Sequence, residues 1–433
     1  MNLQPMTERL YFTDSFLASF EARVSDIRQV SQRRGEIWWQ VTLDRTAFYP
    51  TSGGQPYDTG VLEAVAPSGA RLRAPIAGVE EDEAGEIWHT TAKPLLAGTL
   101  VRAEIDWSRR HDHMQQHSGQ HLLSAIFQRE TGAATVSFHL GEAVSTIDLD
   151  VSTLSTTELE RVEEAANAAI AEDHAIAIRM VGREEAESLL AAGSLRKLPP
   201  RTGEIRLIEI EGLDLNACGG THLRSTAQIG SLLIRGVERA KQQVRVEFAC
   251  GMRAVRLARL DRALLHRTAM ALSVGKEETP GAVERILEES KAAAKEQRRL
   301  VEALAEAESR WMVREIASES GRRLVIRRFA DRDASFLKLL AGRLAAAAQT
   351  CALLTSEVED PSAIVLAANS DLGLDCGVVL KGALGHFGAR GGGAAVMGQG
   401  RISRAEVGGL LKHLEPALRG LLGAVSVSIA SEE

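Results

Sequence analysis

Apolar and polar residues alternate with period two through the first hundred positions. The segments 36–43 (EIWWQVTL) and 99–105 (TLVRAEI) each read as a half-buried strand, and turn residues such as Pro67-Ser68-Gly69 separate the strands. The span 10–107 is therefore β-rich. From Arg109 onward the period changes. Gln115, Gln116 and Gln120, followed by Leu122, Leu123, Ile126 and Phe127, form an amphipathic helical run, with strand-like segments at 135–139 and 144–149 after it. A polar helix over 156–173 carries Leu159, Val162, Ala166 and Ile170 on one stripe. A short helix over 184–190 and strands over 205–210, 229–234 and 243–248 complete a unit ending near Gly251. Helices and antiparallel strands are intermixed, which predicts an α+β class.

Between 252 and about 320 the pattern differs in kind. Ala, Leu, Glu, Lys and Arg dominate, and helix formers run over 253–272. A break at 275–281 follows, where Pro280 starts a second helix. In that helix Ile286, Ala293, Leu300, Leu304, Ala307 and Trp311 approximate a heptad seam. Two long antiparallel helices joined by a loop are expected. The first carries Arg253, Arg256, Arg259, Arg262 and Arg267 against the single Asp261, either a solvated face or one that meets RNA. The last segment alternates strands (323–328, 350–355, 363–368, 424–429) with helices (333–347, 403–422), an α/β pattern. Four domains are thus expected: 1–108, 109–251, 252–321 and 322–433.

Composition narrows the function classes. The chain has 433 residues, enough for several cores, and its 45% hydrophobic and 25% charged content is that of a water-soluble protein. A formal net charge of -7 confines any nucleic-acid contact to a local basic face, and 4% aromatics leave few stacking platforms for single strands. Cys218, Cys250, Cys351 and Cys376 have no disulfide-like rhythm. The first 17 residues contain Glu8, Arg9 and Asp14 and lack the apolar core of a signal peptide, and no segment is apolar enough to span a bilayer. A cytoplasmic protein with no membrane partner is expected.

Chemistry concentrates in two short stretches. His117-Ser-Gly-Gln-His121 places two imidazoles four residues apart, on one face of a helix. Cys218-Gly219-Gly220-Thr221-His222 reads as a glycine-permitted turn that brings a thiolate and an imidazole together. Three imidazoles and one thiolate make a tetrahedral zinc set, and the soft thiolate argues against magnesium or calcium. His111 and His113 are spare candidates. Two glycine-rich stretches stand apart from these. In Ser52-Gly53-Gly54-Gln55, backbone N–H groups could face a ligand, or the segment is a hairpin turn. The run from Gly385 to Gly400 suggests close backbone approach to a phosphate or sugar, or a flexible loop.

Taken in order, TAFYPTSGGQPYDTG, HSGQHLLSAIF and NACGGTHLRSTAQIG resemble the editing region of alanyl-tRNA synthetases and of their free-standing relatives, the alanyl-tRNA editing hydrolases. GARGGGAAVMGQG resembles, more loosely, the C-terminal domain of alanyl-tRNA synthetase, a module shared with DHH-family phosphoesterases. The resemblance covers nearly the whole chain. It implies an N-terminal β-barrel, a zinc-containing α+β editing domain, a long helical hairpin and a C-terminal glycine-rich α/β domain. The chain starts almost at the barrel, so amino-acid activation is not expected. The implied reaction is hydrolysis of tRNA(Ala) mischarged with serine or glycine, a second sieve needed because a small pocket rejects close analogues only about a hundredfold. His117, His121, Cys218 and His222 correspond to the family's zinc ligands. Gly53, Gly54 and Gln55 match the loop lining the amino-acid pocket, where Gln55 is expected as a solvent-lined residue touching the substrate, and Thr221 joins the substrate-binding set. Gln120 and Arg245 complete the implied catalytic set. Gln120 stands where many synthetase editing sites have Thr, a position able to touch a substrate hydroxyl. A homodimer through the C-terminal half is a further expectation.

Two other classes fit parts of the pattern. In a zinc-stapled tRNA-binding protein without hydrolysis, four ligands would close the site and leave no substrate pocket. A phosphoesterase would need an Asp-His-His metal cluster, and His111-Asp112-His113 has the wrong order.

Overall fold

The computed structural model describes residues 6–31, 37–66, 68–195, 197–198, 203–240, 242–316 and 321–431. Glu36 and Pro67 of the expected strand and turn, residues 317–320 at the end of the expected helical region, and the final residues 432–433 lie outside the described residues. The chain divides into two units, Met1–Thr268 and Ala269–Glu433.

In the first unit, strands β1 (Ser19–Ser31), β2 (Ile37–Leu43), β3 (Gly60–Val65), β4 (Arg71–Glu81), β5 (Ile87–Thr91) and β6 (Leu100–Ile105) close into a barrel in the order β1-β2-β5-β4-β3-β6. The alternation explains it. In β6 Val101, Ala103 and Ile105 are buried while Leu100, Arg102 and Glu104 are exposed, as a period of two requires. The buried set joins Val41, Leu43, Leu62, Ala74, Ile76 and Val79 in one interior core. Closure leaves these six strands without a free edge.

Helix α1 (Trp107–Thr131) leaves the barrel directly. The Asp106 carboxylate caps it by accepting from Arg109 N at 3.2 Å, and Gly132 at φ 74 ends it. The expected amphipathic run is buried on every side, continuously from His113 to Phe127. Its apolar residues meet the core, and its polar ones have to find partners inside the protein. Strands β7 (Thr135–Leu140) and β8 (Ser145–Leu149) follow, then α2 (Thr156–Ala171), which starts on a Ser155–Glu158 capping box. After β9 (Ile176–Val181) and α3 (Arg183–Ala191) come β10 (Ile205–Ile210) and β11 (Asp214–Ala217), antiparallel in the order β9-β10-β11. Strands β12 (Leu232–Ala240) and β13 (Gln243–Cys250) complete a four-stranded sheet, β12-β13-β8-β7. Leu122, Leu123, Ile126 and Phe127 pack with Ile147, Val162, Ile208 and Val246 between these layers. Helix α4 (Gly251–Ala271) continues from β13.

One buried ion pair ties α1 to the barrel. Arg110 and Asp58 are both fully buried. Arg110 Nε lies 3.0 Å from each Asp58 oxygen, Nη1 donates to Ser15 O at 2.8 Å, and Nη2 donates to Ala47 O. Asp58 Oδ2 also accepts from Tyr49 N at 2.6 Å. The loop 47–58 is thereby fixed against the first turn of α1.

The second unit holds α5 (Thr279–Glu315), β14 (Arg323–Phe329), α6 (Ala334–Ala346), β15 (Thr350–Ser356), β16 (Ser362–Ala368), α7 (Cys376–His386), β17 (Arg390–Ala394), β18 (Met397–Ile402), α8 (Val407–Leu422) and β19 (Ser426–Ser431). Its six strands run in the order β17-β18-β16-β15-β14-β19, with β14 parallel to both β15 and β19. The glycine-rich run corrects the expectation of a loop. It forms the end of α7 and a β-hairpin, and most of its glycines have a packing reason. A Cβ at Gly377 would meet Gly393 O at 2.5 Å, and one at Gly398 would meet Cys376 O at 2.6 Å, while Gly391 and Gly400 make room for Leu384. Helix α7 thus lies directly on the hairpin backbone.

Candidate metal centre

The two donor pairs meet inside the first unit. One ligand atom from each of His117, His121, Cys218 and His222 lies within 4.8 Å of the others. Cys218 Sγ is 3.5 Å from His117 Nε2 and 3.3 Å from His222 Nε2. The three imidazoles are almost wholly buried, and Cys218 is partly exposed.

Each imidazole is held through its other nitrogen. His117 Nδ1 donates to Gln55 Oε1 at 2.8 Å, and His121 Nδ1 lies 3.2 Å from Asp214 Oδ2. His222 Nδ1 lies 3.2 Å from Ser118 Oγ, which also accepts from Leu223 N at 3.1 Å. With Nδ1 engaged, the Nε2 lone pair of each ring is left for the centre of the cluster, the arrangement that orients histidines as metal ligands. The electrostatics agree. Burial acts to raise the Cys218 thiol, but His117 and His222 outweigh it and hold it well below its ordinary value, toward the thiolate. Burial acts to lower His121, yet Asp214 and Cys218 raise it to about 9 when no metal competes. His222 goes the other way, pushed well down by burial and by His117.

Local geometry shows why these residues sit here. Ser52 N and Gln55 N exchange hydrogen bonds with each other's carbonyls at 3.2 and 2.9 Å, with Gly53 at φ 54 and Gly54 at φ 80. That is a two-residue hairpin turn of the kind that requires positive φ at both central positions. Gly54 O accepts from Leu140 N at 3.1 Å, and a Cβ there would meet the Phe138 ring at 2.9 Å. The turn carries Gln55 into the interior, which corrects the solvent-lined expectation: the residue is fully buried. Its Nε2 donates to Thr221 Oγ1 at 2.8 Å, and its Oε1 accepts from Thr221 N at 3.1 Å as well as from His117. Gly219 and Gly220 need no positive φ. Gly220 is required for close approach, because a Cβ there would run into the His117 ring.

Gln120 follows its helix inward. Its Nε2 donates to Ser124 Oγ at 2.9 Å, and its buried Oε1 has no hydrogen-bond partner. Arg245 is not brought to the cluster. It pairs with Asp148 (Nε to Oδ1, 2.7 Å), directly across from it on β8, in the row of Ser137. The adjacent row, Phe138, Ile147 and Val246, faces the core and places Phe138 5.7 Å from His117, centroid to centroid. Strand alternation therefore sets Arg245 on the opposite face. His113 lies one turn from His117 with an unpaired Nδ1, and neither it nor His111 belongs to the four-donor group. Sequence reasoning missed Asp214, Ser118 and Arg206, whose buried guanidinium donates from Nη1 to Cys218 O at 2.6 Å. An acidic residue four positions before Cys218, inside the stretch leading to the turn, was the available signal for Asp214.

Two family models match the chain, "Threonyl and Alanyl tRNA synthetase second additional domain" over 205–247 and "tRNA synthetases class II (A)" over 1–109. The chain is 36% identical over 254 residues to the alanyl-tRNA editing protein AlaX-M of Methanosarcina mazei, covering 56% of this chain and 96% of that protein. It is 36% identical over 317 residues to the alanine--tRNA ligase of Pyrococcus furiosus, covering 70% of this chain but only 32% of the ligase. A solved C-Ala domain of Aquifex aeolicus alanyl-tRNA synthetase matches 23% of this chain and 89% of its own, at 18% identity and a TM-score of 0.21. Among the described residues no helix is long and apolar enough to cross a membrane. Nearly the full length of an editing protein is matched at better than a third identity, and two of the four clustered donors, Cys218 and His222, lie within the matched second additional domain: the chain belongs to the alanyl-tRNA editing protein family.

Proposed function

We propose that this protein is a zinc-dependent aminoacyl-tRNA deacylase of the cytoplasm that hydrolyses tRNA(Ala) mischarged with serine or glycine. The observation that carries the reading is the cluster of three Nδ1-anchored imidazoles and one thiolate. The donor types suit zinc: bonds of ordinary Zn–N and Zn–S length at tetrahedral angles set donors roughly 3.3–3.7 Å apart, Cys218 Sγ lies 3.5 and 3.3 Å from His117 and His222, and the four donors lie within 4.8 Å of one another, a spread that binding would draw in. When bound, the ion supplies a Lewis acid for the ester carbonyl. The chain's own groups do the rest. Gln55 and Thr221 position His117, Asp214 positions His121, Gly53 and Gly54 bring a backbone turn beside Phe138, and the free Gln120 Oε1 offers an acceptor for a substrate hydroxyl or ammonium. Ile286, Leu300, Leu304 and Trp311 leave an apolar seam exposed on α5, which supports self-association through the C-terminal half. The test is deacylation of Ser-tRNA(Ala), Gly-tRNA(Ala) and Ala-tRNA(Ala) by the zinc-loaded chain. Turnover of the first two with sparing of the third is expected. Tight tRNA binding with no turnover of any of them would overturn the reading in favour of a zinc-stapled binding protein.

A further inference from the structure

A polar cleft opens beside α1, N-terminal to the four-donor cluster. Arg109, His113, His117 and His121 stand four residues apart, so they follow one another along one side of the helix at a rise of about 6 Å per step. The cleft has a volume of about 260 Å³ and is bordered by Arg109, Arg253 and Arg256, by His113, and by the carboxylates Asp106, Asp112 and Glu142, of which Asp106 caps α1 and Asp112 is held by Arg253. His113 is 3% exposed, and its Nδ1 has no hydrogen-bond partner. Such an orphaned buried nitrogen calls for an explanation, and a ligand supplies one. Burial, with Arg109 nearby, lowers the His113 pKa to about 4, so the ring enters as a neutral hydrogen-bonding group.

The three guanidiniums are unequally engaged. Arg253 is committed: it grips the Asp112 carboxylate through Nε at 3.3 Å and through Nη2, and donates from Nη1 to Gly141 O at 2.7 Å. Arg109 donates from Nε to Tyr57 O at 3.0 Å and points both terminal nitrogens, at 3.1 Å, at one oxygen of Glu142. Glu142 is 75% exposed at its side chain, on the turn between β7 and β8. Arg256 is 64% exposed and reaches Asp112 Oδ1 only at 3.9 Å. Arg109 thus holds a replaceable carboxylate beside the first turn of α1, whose backbone N–H groups carry partial positive charge, and Arg256 borders the same cleft with only its long contact to Asp112. An anion with more acceptor oxygens than one carboxylate oxygen would compete with Glu142 for Arg109 and could be reached by Arg256 as well.

We propose that this cleft binds the 5′-phosphate of the terminal nucleotide whose 3′-ester lies at the His117–Cys218 cluster, with Arg109, Arg256 and His113 as its donors. The proposal rests on the deacylase reading above. One ribose separates ester from phosphate in a nucleotide, and the cleft begins one helical turn from His117.

The test compares two esters on the zinc-loaded full chain: 3′-seryl-adenosine, and the same ester carrying a 5′-methylphosphate. The native chain should favour the phosphate-bearing ester in kcat/KM by roughly tenfold or more, the worth of a hydrogen bond to a charged group. The Arg109→Gln, Arg256→Gln double variant should bring that ratio toward one. Glu142→Gln, at an exposed position that the fold tolerates, should raise it. An unchanged ratio in both variants, or no preference in the native chain while both esters are cleaved, overturns the cleft alone. Cleavage of neither ester overturns the deacylase reading and this inference with it.

Discussion

Gln55 distinguishes a residue that acts through a candidate metal ligand from one that touches substrate. Its amide makes three buried hydrogen bonds, to His117 Nδ1 at 2.8 Å, Thr221 N at 3.1 Å and Thr221 Oγ1 at 2.8 Å. Gln55→Ala leaves the Thr221 amide, the Thr221 hydroxyl and the His117 ring without partners in the interior. Each unsatisfied buried group costs about 1–3 kcal/mol before relaxation, and water entering the space returns part of it. A net loss of about 3 kcal/mol in the stability of the metal-free protein is expected. With nothing to fix the His117 tautomer, zinc affinity should fall about 10–100-fold, as when other groups that orient metal ligands are removed. Urea denaturation and competition with a chelating dye measure the two effects. Gln55→Glu keeps an acceptor for His117, and the Thr221 hydroxyl can turn to donate, so it should recover most of the zinc affinity. Undiminished zinc affinity and stability in Gln55→Ala, alongside lost deacylation, would refute this reasoning and place Gln55 against the substrate itself.

Three further outcomes follow from the geometry. The native chain should bind about one zinc, and His121→Ala with Cys218→Ala should abolish it; zinc retained by a folded double variant would move the ligands to His111 and His113. Gly220→Ala should weaken zinc binding because its Cβ would enter the His117 ring, whereas Gly219→Ala meets only Phe12 Cε1 at 3.7 Å and should be neutral; equal effects would contradict the packing argument. His89, fully buried between Thr46 and Val41, has its pKa lowered by burial to about 4 from its ordinary 6.5. The unfolded chain takes up this proton first, so the contribution is complete above pH 6.5. It declines as pH falls through that window, by up to roughly 3 kcal/mol. Denaturation curves for His89→Gln should show a shallower loss between those pH values, and an unchanged slope would remove His89 as the cause.

Local signals carried much of this architecture. Strand alternation at 99–105 and the helical run after Gln115 are properties of neighbouring residues, and β6 and α1 form within a few residues of them. The donor pairs are equally local, since i and i+4 on a helix share a face whatever surrounds it. What escaped was set by tertiary contact. Gln55 lies on a turn recognisable from its two glycines, but the direction of its side chain depends on Thr221, 166 residues away. Arg245 lies on the polar face of an alternating strand, with Gln243 and Glu247 and opposite Val244, Val246 and Phe248; what the alternation leaves open is the neighbour that face meets, and the pairing with Asp148 supplies it. The glycines of β17 and β18 imitate a phosphate loop because close approach to a helix demands the same missing Cβ as close approach to a ligand.

The ligand set raises a last question, which of its corners meets the substrate. An ion held by all three imidazoles and the thiolate would have a filled tetrahedral shell, the mark of a structural zinc site, so a Lewis-acid role would need one corner to open or the shell to expand to five. The four corners are not equivalent here. Each histidine is buried and anchored through Nδ1 to a different side chain, Gln55, Asp214 or Ser118. Cys218 is the partly exposed donor, on a loop free of regular structure, and its sulfur accepts from Gly220 N at 3.4 Å. The substrate edge is therefore expected at Cys218, with the imidazoles as the fixed tripod. Cobalt substitution tests it. The native chain should show both the d–d bands of a tetrahedral ion and a thiolate-to-cobalt charge-transfer band. Cys218→Ala should lose the charge-transfer band while still binding cobalt, more weakly, through the three imidazoles. Loss of all cobalt binding in a folded Cys218→Ala protein would make the thiolate an indispensable corner and the site a closed one.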